Sequence, residues 1–452
     1  MSKFFLFFIT AILLSACKPQ TPIENIILQD VTIIPMNGTD NYVADIEILD
    51  SKINAIGNIK ENEKSTVIDG EGKFIIPGLT EMHAHIPTPE EGDDSYVKEV
   101  LFLYLSQGVT TIRGMLGDPY HLVLRKNIEA GEVMGPRVYT SSPSMNGNSV
   151  TTPEEAIEKV KQYKIDGYDF LKIHPGIQLN VWDALESTAK EVAIPFSGHV
   201  PVEVGIHRAL ESGYATIDHL DGYIDGLVPK SEHADKDGGG FFGFSFTDLV
   251  DTGLIDGLVQ KTKNKQVAVV PTQTLFTRWF SPTDPIVNVQ EPEMKYMPSK
   301  TRFSWRQNKE RMINDEAYSS ETWKTFISIR KQLLKALDDA GVTILLGSDA
   351  PQVMNVPGFS LHHEMKDMAD AGMSNYDILQ SGTQAPAEFF NASDKYGTIE
   401  KGKSADFILL DENPLDNISN ASQIVGVMYR GNWLSREMID ERLKEIEDRH
   451  LN

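Results

Sequence analysis

Eight short apolar runs, most of them followed by a stretch that reads as helix, constrain this chain more than any other feature. They cover residues 74–76, 109–112, 137–140, 170–173, 194–196, 215–217, 267–270 and 343–346. Between them lie amphipathic segments such as 153–163, 181–191 and 328–340. Repeated β-then-α units predict an α/β protein whose residues 76–394 close into a (β/α)8 barrel. Shorter β-like runs flank this middle at 26–28, 31–34, 45–49 and 52–56, and again at 397–399, 406–410 and 424–429. Two β-rich ends around a long middle predict a small β-sandwich domain built from residues 25–75 and 395–436. Residues 437–452 read as an exposed C-terminal helix. Insertions at 225–265, carrying Gly238-Gly239-Gly240, and at 276–325, rich in Pro, Trp and charge, both follow strands. They therefore belong at the face where barrels do chemistry.

Composition narrows the partners. Hydrophobic residues make up 40% of the chain, enough for a sizeable core, and 42 Lys plus Arg against 65 Asp plus Glu leave a net charge of −23. That charge argues against nucleic acid and against a broad electrostatic grip on an anionic membrane. The single cysteine removes intrachain disulfides and Cys-based zinc sites, so His and carboxylate must hold any metal. This cysteine, Cys17, closes Leu14-Ser15-Ala16-Cys17 after Lys3 and an apolar run at 4–14. The pattern reads as a signal peptide, residues 1–16, and resembles a bacterial lipoprotein box. Residues 17–24 would then be a lipidated tether. The expectation is an exported protein anchored to the bacterial cell envelope on its periplasmic or cell-surface side. Cys17 would be its one membrane contact, since no later run reaches the ~20 apolar residues of a spanning helix.

Polar residues fall where the strands end. His83-Ala84-His85 follows the first run, and residues i and i+2 of an extended segment point the same way, towards one ion. His199 follows the fifth run, His219 the sixth and Asp349 the eighth, while Lys172 lies in the fourth. Strand C-termini converge on one mouth of a barrel, so the six could surround a single point. Four imidazoles, a carboxylate and a lysine form a two-metal constellation.

The run Ile75-Ile76-Pro77-Gly78-Leu79-Thr80-Glu81-Met82-His83-Ala84-His85 resembles the opening signature of the amidohydrolase superfamily. Residues 46–57 and 67–77 resemble its N-terminal β segments, and 397–406 its returning strand. Residues 108–113 and 135–138 are similar to the imidazolonepropionase-like and prolidase-like branch. The resemblance implies two divalent ions, zinc being the best match to His and carboxylate ligands. His83, His85 and Asp349 would hold one ion and His199 and His219 the other, with Lys172 carboxylated and bridging. One departure is Ser197-Gly198-His199-Val200, where relatives commonly carry a His-x-His pair. The implied reaction is hydrolysis of a C–N bond in a dipeptide or N-acyl amino acid by a metal-bridging hydroxide. Asp349 would serve as base and then acid. A cyclic amide, an imidazolone-type ring, an ester or a lactone suits the same centre. A non-catalytic, tethered solute-binding protein is the alternative of another class, and a homo-oligomer is compatible with either.

Substrate contacts are less sharply marked. Arg113, ending the second run, fits a substrate carboxylate and a structural ion pair equally, and Arg278 is the second choice. Tyr223 could donate to the substrate or simply pack, and His174 could line the site or fill a loop. One of His362 and His363 could face the site, although both sit where a helix begins. His121, His207, His233 and His450 read as surface or helix residues. Trp279, Phe280, Trp305 and Trp323 should pack the second insertion, which could also serve as a lid. The anchor has a direct test. Cys17→Ala should move the protein from washed membranes to the soluble fraction with catalysis unchanged, and retention on the membrane would place the anchor elsewhere.

Overall fold

The computed structural model describes residues 25–61, 63–232 and 239–451. The signal peptide, the tether with Cys17, His233 and Gly238 lie outside the described residues. Five strands come first among the described residues: β1 (Asn25–Ile33), β2 (Tyr42–Leu49), β3 (Lys52–Gly57), β4 (Ser65–Asp69) and β5 (Phe74–Pro77). The barrel strands are β6 (Leu79–Ala84), β7 (Val109–Gly114), β8 (Arg137–Thr140), β9 (Leu171–Ile173), β10 (Phe196–Gly198), β11 (Thr216–Asp218) and β12 (Ala268–Val270). The chain returns as β13 (Phe407–Leu410), β14 (Ile424–Tyr429) and β15 (Asn432–Ser435).

Strands from both ends join one eight-stranded sheet, in the order β15-β14-β13-β5-β1-β2-β3 with β4 also on β1. β1 pairs through residues 25–29 with β4 and through Thr32 and Ile33 with β5, with an irregularity between Leu28 and Val31. The sheet therefore turns at β1, and alternate residues of both arms, Ile26, Leu28, Ile46, Ile75, Phe407 and Leu409, share a core.

In the barrel, β6-β7-β8 and β9-β10-β11-β12 run parallel within each group. Parallel bridges Ser141–Phe170 and Met145–Ile173 span the gap between the groups. Residues 343–346 close the ring: Leu345 N–H donates to Val269 O at 2.9 Å, and Met82 N–H donates to Leu346 O at 2.9 Å. One of the outer helices shows both end signals. Thr152 accepts from Glu155 N–H at the start of Pro153–Asp166, and Gly167, at φ 89°, stops that helix.

Two expectations need correction. Residues 74–76 are not the first barrel strand, because β5 pairs with β1 and β13 in the other sheet. The barrel begins after Gly78, where a Cβ would meet Thr110 Oγ1 at 2.2 Å. Its true first strand is disguised by Thr80, Glu81 and His83, polar yet buried. The C-terminal helix, Arg436–Leu451, is not simply exposed: Ile439, Leu443 and Ile446 are buried. Its Arg449 and His450 pair at 2.8 and 2.9 Å with buried Glu99 of helix Ser95–Ser106.

Candidate metal centre

The ends of β6, β9, β10 and β11, with the turn after residues 343–346, bring the six nominated side chains together. His85 Nε2 lies 2.7 Å from Asp349 Oδ1, and His83 Nε2 lies 3.6 Å from the same oxygen. Among the described residues, His83, His85 and Asp349 offer ligand atoms that all lie within 4.8 Å of one another. The His83 and His219 ring centroids are 4.4 Å apart, and those of His219 and His199 are 4.7 Å apart. Lys172, fully buried, places Nζ 3.4 Å from His83 Nε2. Two backbone positions bend the chain to make this possible, since His219 and Asp349 each take φ 64°, the left-handed region that costs a non-glycine residue.

Three of the four histidines are approached from behind. His219 Nδ1 meets Thr272 Oγ1 at 2.9 Å, and His199 Nδ1 meets Asp221 Oδ2 at 3.0 Å. His83 Nδ1 lies 3.0 Å from Asp218 Oδ2. Each of these three contacts approaches Nδ1, as in the arrangement that orients metal-ligating imidazoles. Burial, reinforced by the Lys172 ammonium, drives His83 well below its usual pKa; burial and then His83 do the same to His219. Both shifts favour the neutral ring that a metal ligand must be. Burial also lowers the Lys172 amine to about 8. Asp349 Oδ1 is buried and makes no hydrogen bond despite its closeness to His85. A buried carboxylate oxygen that faces imidazole nitrogens outside hydrogen-bonding geometry is what a cation would satisfy, so the donor set fits divalent metal.

A sequence profile described as the Amidohydrolase family matches residues 74–434. The chain belongs to the amidohydrolase family. Membership places it among hydrolases, and the histidine–aspartate cluster accords with metal binding. Adenine deaminase of Clostridium perfringens is 29% identical over 187 residues, which cover 37% of this amidohydrolase and 31% of that protein. Dihydroorotase of Caldicellulosiruptor saccharolyticus is 50% identical over 48 residues, 10% of this chain and 11% of that one. The match to the curated deaminase thus spans about a third of its length. Among solved structures, a Xaa-Pro dipeptidase with methionine bound in its active site aligns with a TM-score of 0.64 at 20% identity, covering 91% of this chain and all of that one. Bottromycin amidohydrolase aligns with a TM-score of 0.69 at 19% identity, covering 93% and 90%. At such identities the likeness is one of fold.

Several expected substrate contacts of this amidohydrolase are placed otherwise. Arg113 has no exposure: its Nε donates to Met82 O at 2.7 Å, and its Nη2 pairs with Asp218 Oδ1 at 3.1 Å. It is the structural ion pair, because Asp218 would otherwise be an uncompensated buried charge. Tyr223 is also fully buried, with its hydroxyl 2.9 Å from Thr262 Oγ1, so it packs a helix and not the mouth. Arg278 is taken up by Glu291 and Glu293 within the second insertion. His362 meets Gln107 O and His363 meets Glu293, so neither joins the centre. His174 does line the mouth, stacked on His199 at 4.9 Å with Nδ1 2.7 Å from Ser144 Oγ, and burial pushes it down to about 2. The open clefts beside the centre are lined by His85, Leu116, Asp118 and His121 on one side and by Ser144, Asn146 and His174 on the other.

Sequence reasoning missed the supporting carboxylates. Asp218 and Asp221 could have been noticed, since each lies within two positions of His219. Glu81 had a fainter signal, two residues before His83. It accepts from His83 N–H and Ser348 N–H at 2.8 Å, and burial raises its pKa to about 8. It ties the first strand to the turn carrying Asp349. Asp218→Asn and Asp221→Asn should each weaken metal retention about 10- to 100-fold, the usual loss when a ligand's hydrogen-bond partner is changed. Competition with a chromogenic chelator reads this directly, and unaltered affinity in both variants would mean that other groups orient the rings.

Proposed function

We propose that the protein is a metal-dependent hydrolase that cleaves the C–N bond of a small amide, such as a dipeptide or an N-acyl amino acid. The observation carrying this reading is the unsatisfied Asp349 carboxylate facing His85 and His83 at a barrel mouth. His83, His85 and Asp349 would hold one divalent ion, and His199, His219 and a carboxylated Lys172 the other, with zinc suited to this donor set. When bound, such ions polarise a carbonyl oxygen and make a water nucleophilic at neutral pH.

The chain's own residues supply the rest. Asp349 takes the proton of the attacking water and returns it to the leaving nitrogen. Thr272, Asp221 and Asp218 keep the imidazoles from rotating. His174, neutral and anchored by Ser144, presents its other ring nitrogen to the substrate. Lys172 meets an imidazole nitrogen, which compensates a buried ammonium poorly. Reaction of its amine with CO₂ releases a proton and leaves a carbamate, an anion fit to bridge two cations.

A second reading, loss of ammonia from a ring amidine or opening of a cyclic amide, is favoured by the likeness to an adenine deaminase and a dihydroorotase. Ammonia release marks deamination, a single product carrying both the new carboxylate and the new amine marks ring opening, and two separate products mark cleavage of a small linear amide. The zinc-loaded protein should hydrolyse members of a dipeptide and N-acyl amino acid library. His83→Ala combined with His199→Ala should abolish both metal retention and turnover, and full turnover by that metal-free variant would end the hydrolase reading. For Lys172→Ala, activity should be lost and partly regained on adding small carboxylic acids. An uncapped lysine in a fully active, two-metal protein would overturn the carbamate.

A further inference from the structure

The first insertion sets an aromatic side chain against the two histidines of the outer half of the centre. Phe242 packs on His219 at 5.3 Å between ring centroids and on His199 at 5.7 Å. On its far side it meets Phe276 edge-on at 4.9 Å. Phe241 continues the surface outward, 6.2 Å from Phe242 and 5.8 Å from Trp279, whose ring in turn packs edge-on against Phe280 at 5.3 Å.

Two features set this patch apart from ordinary core. Phe242 takes φ 54° and ψ 32°, a left-handed conformation that a bulky residue rarely adopts and that neighbouring structure must hold in place. Phe241 is 63% exposed, a large apolar ring left in water beside the mouth. Backbone strain and uncovered aromatic surface at the edge of a reaction centre are both expected where a ligand completes the packing. The occupant has to be apolar and flat enough to meet ring faces and edges, because the wall is built from Phe241, Phe242 and Trp279.

We propose that Phe241, Phe242 and Trp279 form a subsite for an aromatic group of the substrate, adjoining the His199–His219 half of the centre. The proposal rests on the hydrolase reading above and deepens it by naming the substrate class: amides whose acyl or amine portion carries an aromatic ring. It places specificity in an insertion, while the centre itself serves any scissile carbonyl.

Binding of hydroxamates tests this without turnover. Acetohydroxamate and phenylacetohydroxamate present the same chelating group and differ by one phenyl ring. Isothermal titration of the zinc-loaded full-length protein should show the phenyl compound bound roughly tenfold or more tightly, the size expected of a good aromatic contact. In Phe241→Ala, which alters an exposed residue and should leave folding intact, that preference should shrink severalfold. In Phe242→Leu, which keeps the bulk but not the ring, it should fall to within about twofold, read as the ratio of the two hydroxamate affinities in that variant. Equal affinity of the two hydroxamates in the unaltered protein would overturn the subsite, as would a preference that survives both substitutions. Phenyl preference in a protein that hydrolyses no amide would uphold the subsite and defeat the hydrolase reading, so the two failures are distinguishable.

Discussion

A guanidinium and a carboxylate sealed inside the barrel hold the site in register. Arg113 on β7 reaches Asp218 at the end of β11, and Thr216 donates to the same carboxylate at 2.7 Å. Asp218 then faces His83 on β6. Three strands distant in sequence are thus tied by one charge-assisted chain. Removing one partner of such a buried pair leaves the other uncompensated, at a cost of about 3–5 kcal/mol. The strength of this contact lies less in net stability than in direction, because a fixed fork holds in place the carboxylate that faces the His83 imidazole.

A second buried cation secures the strand ends. Arg330 donates to His219 O at 2.8 Å and to Pro271 O at 3.0 Å, and its guanidinium lies 3.7 Å from the Phe276 ring centroid. Those carbonyls belong to segments with positive φ, at His219, Leu220 and Thr272. Each such position costs roughly 1–3 kcal/mol unless its surroundings impose it. The turn places His219 towards the centre and Thr272 behind it, so the strain and the support of the ligand have one origin. The same Phe276 backs Phe242, which connects the clamp on the strand ends to the aromatic wall of the mouth.

Electrostatics sets a limit on substrates that composition alone could not. With a net charge of −23, the protein repels anions at long range. The two arginines nominated for a substrate carboxylate are both engaged by carboxylates of the protein. Neither arginine is therefore available to a substrate carboxylate, whereas the centre and the apolar wall beside it can draw a substrate in.

Much of this protein was legible in its residues alone. The repeating β-then-α pattern determined the barrel, because parallel strands buried on both faces must be short apolar runs joined by helices. The positions of His83, His85, Lys172, His199, His219 and Asp349 at or near strand ends determined that they could meet, since all such ends open on one mouth. The first strand escaped notice because its buried polar residues, Thr80, Glu81 and His83, break the apolar pattern. What the side chains do beyond their own strands was decided by the tertiary structure. Arg113 at a strand end could equally have faced substrate; only the arrival of Asp218 from a strand about a hundred positions on turned it inward. Phe242 sits in a glycine-rich insertion with no periodicity to announce it, and its contact with the histidines comes from a left-handed backbone position. Periodicity is local and can be read along a chain, whereas the partner of a buried charge or an uncovered ring is set by distance in space.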